Sequence, residues 1–253
     1  MKTIDEAIIS VQDFDFKSAT QTEIEEILPT FGMNDESLDE MPKIFEPYFG
    51  WGIKFWQYPN QFSKVLTFFK DKDISSYLEI GVRWGGTFIL MNELLMKYNP
   101  LLESHCLDII PASDILHSYQ TKFRKNKFWY HQMESTSPFF FVNLEGGDNL
   151  LPQKKIDLVF IDACHAYHCI MRDYFLSLML GAKFIMFHDI ANVNTRGARI
   201  AWNQIKKNHS KTYEFVDQYE MNGKYLGLGI VQVDKNDSIF PMFKPNFHHL
   251  FDW

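Results

Sequence analysis

The fold is decided by Ser75-Ser76-Tyr77-Leu78-Glu79-Ile80-Gly81-Val82-Arg83-Trp84-Gly85-Gly86-Thr87. This stretch begins as a short apolar strand with an acid near its end, turns through three glycines and continues into a helical pattern. Glycine is needed where the backbone takes a positive φ or lies against a ligand, because a Cβ would clash there. A strand, a glycine turn and a helix N-terminus together predict a binding site of nucleotide size.

The glycine pattern differs from the dinucleotide fingerprint Gly-x-Gly-x-x-Gly, because Arg83 stands where that fingerprint has its second glycine. A pyrophosphate would meet a side chain there, so the pattern favours a cofactor without a diphosphate. The alternative is a tight turn that binds nothing, and the glycines alone do not separate the two interpretations.

A second acid supports the cofactor interpretation. The run 105–110 predicts a strand with Asp108 at its end, about 20 residues beyond the glycine turn, where ribose hydroxyls are bound in such folds. A carboxylate can accept hydrogen bonds from both hydroxyls of a diol. A single Asp at a strand end is more often a turn or cap residue, but its spacing from Glu79 favours the functional role.

Two later strands predict a second group of functional side chains. Residues 155–162 form a nearly continuous apolar run that ends in Asp162, and residues 182–187 precede His188 and Asp189. The carboxyl ends of parallel strands meet at one edge of a sheet, so these side chains are expected to face one another. Facing carboxylates repel unless one is protonated or a cation lies between them. A divalent metal site is one interpretation; a helix-capping Asp162 with a core histidine is the other.

Composition sets the broad class. The chain has 253 residues, 46% of them hydrophobic, with a net charge of −7, which argues against a nucleic-acid partner. No apolar run approaches the ~20 residues of a membrane span, and no leader pattern opens the chain. The three cysteines are odd in number and lack paired metal spacing, so we expect reduced thiols and a cytoplasmic location.

Alternating strand and helix patterns predict an α/β fold: a Rossmann-like, doubly wound, mostly parallel sheet with an antiparallel C-terminal strand. We expect a helical, aromatic-rich N-terminal extension over residues 1–70, a cofactor-binding domain over 71–240 and a tail over 241–253. Within the extension, residues 1–40 are weakly patterned, with one short helix at 22–28. The aromatic cluster at 45–58 either packs in the core or forms a lid.

Three motifs, in order, resemble those of class I S-adenosylmethionine (SAM) methyltransferases. The resemblance is to the metal-dependent group of sugar O-methyltransferases that includes macrocin-type and cephalosporin-hydroxylase-like proteins. It spans residues 77 to about 202. The motifs are Leu78-Glu79-Ile80-Gly81, Asp157-Leu158-Val159-Phe160-Ile161-Asp162-Ala163-Cys164-His165 and Phe187-His188-Asp189-Ile190.

The resemblance implies transfer of a methyl group from SAM to a hydroxyl of a small polar acceptor in carbohydrate biosynthesis. The acceptor would be a sugar, a nucleotide sugar or a phosphorylated polysaccharide precursor. It implies catalytic roles for His165 as general base and for Asp162 and His188, and an Mg²⁺ or Mn²⁺ site at Asp162, His188 and Asp189. His188 replaces a carboxylate of that group, and imidazole suits Mn²⁺, Zn²⁺ or iron better than Mg²⁺. A metal-free site, with His188 as a second acid–base group, therefore stays open.

Other assignments follow with less sequence support. Glu134 and Ser135 are favoured as the adenine contact over the rival run 146–149, and Arg196 is a candidate contact for an acceptor phosphate. Alternative functions are a metal-assisted hydrolase or hydroxylase, or a non-catalytic SAM-binding protein, and a homo-oligomer is an open alternative to a monomer. The residues expected to bind the cofactor are Glu79, Gly81, Arg83, Gly85, Thr87, Asp108, Glu134, Ser135 and Asp162.

Overall fold

One seven-stranded sheet organises the computed structural model, which describes residues 1–137, 155–234 and 237. The strands are β1 (Ser76–Ile80), β2 (Glu103–Asp108), β3 (Lys127–Gln132), β4 (Leu158–Ile161), β5 (Phe184–Phe187), β6 (Thr212–Phe215) and β7 (Leu228–Gln232). Their order is β3-β2-β1-β4-β5-β7-β6. The first five are parallel, and β7 pairs antiparallel with β5 and β6. The predicted Rossmann-like sheet with an antiparallel C-terminal strand is confirmed.

Helices cover both faces of this sheet. The α-helices of the described residues are α1 (Ile4–Asp13), α2 (Gln21–Ile27), α3 (Pro59–Phe69), α4 (Gly86–Tyr98), α5 (Asp114–Ser118), α6 (Tyr167–Met179) and α7 (Arg196–Ile205). On β4, Leu158 and Phe160 pack with residues of α1 to α5, whereas Val159 and Ile161 pack with residues of α6 and α7. The continuous apolar run in β4 is explained by this burial on two faces.

The N-terminal extension contains a helix that the sequence analysis did not predict. Thr3 and Glu6 form a capping box at the start of α1, and Ile4, Ala7, Ile8 and Val11 follow the i, i+3, i+4, i+7 spacing of one helix face. The apolar residues of α1 and α2 belong to the same buried cluster as those on one face of the sheet. The division at residue 70 stays a prediction, and the tail 241–253 and the run 146–149 lie outside the described residues.

The aromatic cluster of the extension is mainly core. Phe45, Phe55 and Tyr58 are buried, which confirms the packing interpretation for these three. Tyr58 also donates a hydrogen bond to the carbonyl oxygen of Glu40, so its ring packs inside while its hydroxyl holds the short 3-10 helix Leu38–Glu40. Among the described residues, no helix has the length and apolar content needed to cross a bilayer.

The expectation of reduced cysteines is wrong for two of the three. Cys164 and Cys169 form a disulfide, with their Cα atoms 5.8 Å apart, while Cys106 is a buried free thiol. The pairing arises because α6 begins at Tyr167, two residues earlier than Cys169, so its first turn brings Cys169 next to the preceding loop. Cytoplasmic location, which rested partly on reduced thiols, stays a prediction.

Two buried histidines on neighbouring strands are kept neutral by their surroundings. His105 Nδ1 lies 3.1 Å from His131 Nε2, and His105 Nε2 lies 3.1 Å from Glu103 Oε1. The ring of Trp129 stacks on His105. The pKa of each histidine is lowered to about 4, by burial in His105 and by burial together with the neighbouring His105 in His131.

We expect acid to destabilise the fold through this pair. The histidines have a pKa near 6.5 in the unfolded chain and near 4 in the folded protein. Between these pH values the unfolded state therefore binds protons that the native state does not bind. Their contribution to the free energy of unfolding is full above pH 6.5 and is lost as the pH falls towards 4. For one such histidine this loss is about 3 kcal/mol. Urea denaturation at pH 7.5 and 4.5 measures it. The double variant His105→Gln, His131→Gln should lose less stability over this interval, and an unchanged loss would contradict the assignment.

Candidate active site

A cavity of about 730 Å³ lies at the carboxyl ends of β1, β2, β4 and β5. Small-molecule sites commonly have volumes of about 300–1,000 Å³ and occur where the strand order reverses, which here is between β1 and β4. All the residues singled out for cofactor binding, metal binding or catalysis line this cavity. They are Glu79, Gly81, Arg83, Gly85, Thr87, Asp108, Glu134, Ser135, Asp162, His165, His188 and Asp189.

The glycine turn after β1 is shaped by close packing of the protein on itself. Gly81 has a φ of +87° and Gly85 a φ of +91°, as the sequence predicts. A Cβ on Gly81 would lie 2.4 Å from the carbonyl oxygen of Asp162, and one on Gly85 would meet the side chain of Leu116. The turn therefore needs glycine chiefly because it packs against the end of β4 and against α5. This packing fixes the position of the turn, which forms one wall of the cavity.

Two carboxylates stand at the ends of β1 and β2. Glu79 is buried and accepts a hydrogen bond from the hydroxyl of Tyr77; burial raises the pKa of Glu79 well above its usual range. Asp108 Oδ2 accepts hydrogen bonds from the amides of Val82 at 3.1 Å and Arg83 at 2.9 Å. Asp108 thus holds the glycine turn in place while its carboxylate also lines the cavity.

The N-terminal extension closes one side of the cavity through a segment we call the cap, residues 33–58. Arg83 donates two hydrogen bonds, of 2.7 and 3.1 Å, to Glu36 of the cap, so its guanidinium links the glycine turn to the cap. Ser37, Glu40, Lys54 and Trp56 of the cap also line the cavity. The lid interpretation therefore suits Trp56, in contrast to its buried aromatic neighbours.

Backbone strain is concentrated around the cavity. Among the described residues, five that are not glycine have a positive φ between 44° and 61°. They are Ser37, Lys54, Arg83, Asp189 and Leu226, and all five line the cavity. Each such conformation costs about 1–3 kcal/mol and persists where surrounding contacts enforce it, most often at functional sites.

The region proposed for adenine is occupied by a polar network. Ser135 donates a hydrogen bond of 2.6 Å to Asp173 Oδ1 and accepts one of 3.0 Å from Arg172. Glu134 is exposed and accepts a hydrogen bond from Thr136. Both predicted residues line the cavity, but the hydroxyl of Ser135 is already used within the protein. Its role as an adenine contact stays a prediction.

The ends of β4 and β5 bring two carboxylates and two imidazoles together. His188 Nδ1 lies 2.8 Å from Asp162 Oδ1 and 3.4 Å from Asp189 Oδ1. His165 Nε2 lies 3.7 Å from Asp162 Oδ1 and 3.6 Å from Asp189 Oδ2. We call these four residues the Asp/His cluster. The sequence placed all four at this edge of the sheet, and the structure brings them into contact.

Opposite charges balance inside the Asp/His cluster. Burial disfavours the imidazolium form of His188, but the carboxylates of Asp162 and Asp189 outweigh it and raise the pKa of His188 to about 9. Burial likewise opposes ionisation of Asp162, yet His188 and His165 lower its pKa. The pKa of His165 is raised by the same two carboxylates against the effect of burial. The cluster therefore attracts a positive charge, as protons or as a cation.

Sequence reasoning missed the residues that the cap and a later loop add to this cluster. Gln57 Nε2 lies 3.4 Å from Asp162 Oδ2. Asn192 donates to Asp189 Oδ1 at 3.1 Å and to Glu40 Oε2 at 3.2 Å. No local pattern marks Glu40 or Gln57, because both reach the site through the fold of the extension. Arg196, considered for an acceptor phosphate, is exposed and is not among the residues that line the cavity.

Comparisons with known proteins give similarity at the level of structure. No family model and no curated protein sequence matches the chain. The O-methyltransferase TomG from Streptomyces achromogenes, solved with SAM, is 14% identical over 85% of this chain and 99% of its own, with a TM-score of 0.48. A Pyrococcus horikoshii protein described as a candidate RNA methyltransferase is 12% identical over 85% and 98%, with a TM-score of 0.46. The plantazolicin methyltransferase BpumL, solved with SAH, is 12% identical over 69% and 82%, with a TM-score of 0.40. Similarity this distant leaves the activity to be argued from the site.

We expect Gly86→Ala to loosen the cap. A Cβ at this position would lie 2.3 Å from the carbonyl oxygen of Ile53 and 2.6 Å from the amide nitrogen of Phe55. At a helix position with free space around it, Gly→Ala would stabilise the helix by about 1 kcal/mol. A loss of protection of the cap against protease must therefore come from the clash. Limited proteolysis with mass spectrometry should show faster cleavage within residues 33–58. Ile200→Ala, at an exposed position of α7, is the control, and equal cleavage of both variants would contradict the contact.

Proposed function

We propose that this protein is a SAM-dependent methyltransferase that acts on a hydroxyl group of a small polar acceptor. The observation that carries the proposal is the arrangement across the sheet. Adjacent strands β2, β1, β4 and β5 carry Asp108, Glu79, Asp162 and His188 at or next to their carboxyl ends, and all four residues line one cavity. Acids suited to a nucleoside therefore lie beside an acid–base cluster suited to proton transfer.

The polar groups that line the cavity match those of SAM. Helix α4 begins after Gly85 with no side-chain cap, and its first residues, Gly86 and Thr87, line the cavity. Such a helix start offers unpaired amides. The carboxylate of Asp108 suits the diol of the SAM ribose. The carboxylate of Glu79 suits the ammonium group of the methionine part of SAM, because that positive charge would offset the cost of burying an ionised acid.

The residues of the chain then have distinct tasks. When bound, SAM supplies an electrophilic methyl group on a sulfonium. His165 Nε2 accepts the proton of the acceptor hydroxyl, and Asp162 and Asp189 stabilise the imidazolium that forms. Trp56 and the rest of the cap exclude water and hold the acceptor in place.

Magnesium does not fit the Asp/His cluster, and no step of this mechanism uses it. Mg²⁺ prefers oxygen ligands in near-octahedral geometry, whereas His188 places a ring nitrogen 2.8 Å from Asp162 Oδ1, at the centre of the predicted metal set. Mn²⁺ tolerates imidazole better. The metal set of Asp162, His188 and Asp189 thus stays a prediction.

The charges of the cavity favour an uncharged acceptor such as a sugar. Each of the three Lys or Arg residues among its described lining is paired with an acid that does not line it. Lys54 pairs with Asp35, Arg83 with Glu36 and Arg172 with Asp173. At the acceptor end, His165 and His188 balance Asp162 and Asp189, and Glu40 adds a further acid, so the described lining has no unpaired Lys or Arg for a phosphate beside His165. Absence of a nucleic-acid partner and the oligomeric state stay predictions.

We expect the protein to bind SAM and Asp108→Asn to weaken that binding about 10-fold to 100-fold, the range for a lost hydrogen bond to a charged group. Isothermal titration calorimetry measures this. Asp73→Asn, at an exposed acid before β1, is the control and should bind SAM as the wild type does. The absence of binding heat in the wild type would contradict both the enzyme and a non-catalytic SAM-binding protein, and would favour a hydrolase or hydroxylase.

We expect His165→Ala to reduce turnover about 100-fold or more, the usual effect of losing a general base. Release of S-adenosylhomocysteine, measured with a panel of monosaccharides and nucleotide sugars, gives the rate. SAM affinity should stay within about twofold, because the imidazole contacts only the acceptor. His168→Ala, an exposed histidine of α6, is the control. An equal loss of SAM affinity and turnover in His165→Ala would show that this residue binds the cofactor.

A further inference from the structure

Three potential metal ligands converge within the Asp/His cluster. One ligand atom each from Asp162, His165 and His188 lies within 4.8 Å of the others. The shortest separation is 2.8 Å, between His188 Nδ1 and Asp162 Oδ1, and His165 Nε2 lies 3.7 Å from the same oxygen. Ligand atoms bound to one ion at 2.0–2.2 Å lie about 3–3.5 Å apart, so these separations match a shared ion with small adjustments.

The imidazole nitrogens lack the hydrogen bonds that burial demands. His188 is 7% exposed, yet neither of its ring nitrogens makes a hydrogen bond of acceptable geometry, and the same holds for His165 Nε2. The contact of His188 with Asp162 is short but poorly aligned for a hydrogen bond. Buried polar atoms without partners cost about 1–3 kcal/mol each. An ion at the centre of the three residues would bind one nitrogen of each ring, Nδ1 of His188 and Nε2 of His165.

Surrounding groups already orient the ligands. Gln57 Nε2 lies 3.4 Å from the second oxygen of Asp162. Asp189, held by Asn192, lies 3.4 Å from His188 Nδ1 and 3.6 Å from His165 Nε2. Carboxylates and amides that hold metal ligands in place are a regular feature of metal sites. Because Asp189 approaches the same ring nitrogens that would bind the ion, its carboxylate adds negative charge beside the ion and could serve as a fourth ligand.

We propose that Asp162, His165 and His188 bind a divalent transition-metal ion such as Zn²⁺ or Co²⁺ in preference to Mg²⁺. Two imidazoles and one carboxylate suit borderline metals, while hard Mg²⁺ prefers oxygen. The proposal does not rest on methyl transfer. In the metal-loaded protein Nε2 of His165 is a ligand atom, so proton transfer by His165 belongs to the metal-free state.

The test uses the full chain without an affinity tag, freed of metal by a chelator, with neither SAM nor acceptor present. Calorimetric titration should give one Zn²⁺ per chain, bound at least about 100-fold more tightly than Mg²⁺. Co²⁺ should give the visible absorption of a nitrogen- and oxygen-ligated ion. Equal affinities for Zn²⁺ and Mg²⁺, or binding of several weak Zn²⁺ ions, would overturn the proposal.

Variants locate the site. His188→Asp should lower Zn²⁺ affinity about 100-fold and raise Mg²⁺ affinity, because an oxygen ligand replaces a nitrogen. His165→Ala, in a half-exposed loop, should also weaken Zn²⁺ binding and keeps the test valid if His188→Asp does not fold. His168→Ala, and Cys164→Ser with Cys169→Ser, should bind Zn²⁺ as the wild type does. Unchanged Zn²⁺ affinity in folded His165→Ala would place the ion elsewhere and overturn the assignment.

Discussion

The contact between Gly81 and the backbone carbonyl of Asp162 is the constraint on which the rest of the site depends. The turn after β1 has no room for a Cβ there, and it takes a positive φ to pass this carbonyl. That passage brings the end of β1 against the end of β4, at the point where the strand order reverses. Glu79 on one side and the Asp/His cluster on the other therefore share one cavity, and their separation is fixed by main-chain packing.

Electrostatic balance explains how so many ionisable groups stay buried at that point. Asp162 and Asp189 would repel each other if both were ionised without a counter-charge, and burial would increase the cost. His165 and His188 supply the counter-charge when protonated, which is why the pKa of each is raised. A metal ion can replace those protons with the same net charge. Either counter-charge would offset the repulsion between the two carboxylates, and burial strengthens that attraction.

The cap makes the N-terminal extension part of the site. Glu36 fixes Arg83, Glu40 reaches the loop after β5, and Gln57 approaches Asp162. The extension shares a buried core with the sheet, so these contacts are held by packing as well as by charge. The strained backbone at five cavity residues is maintained by the same packing, because such conformations persist only where neighbouring structure enforces them.

Sequence alone determined the sheet and most of the site. The apolar strands, the glycine turn and the acids at strand ends are local patterns, and parallel strands bring their carboxyl ends to one edge whatever else the chain does. Tertiary structure decided the rest. Arg83 pairs with Glu36 of the cap, and the two cysteines pair across the first turn of α6. Contacts of Glu40 and Gln57 join residues more than 100 positions apart. Packing of distant segments sets such contacts, and no local pattern encodes it.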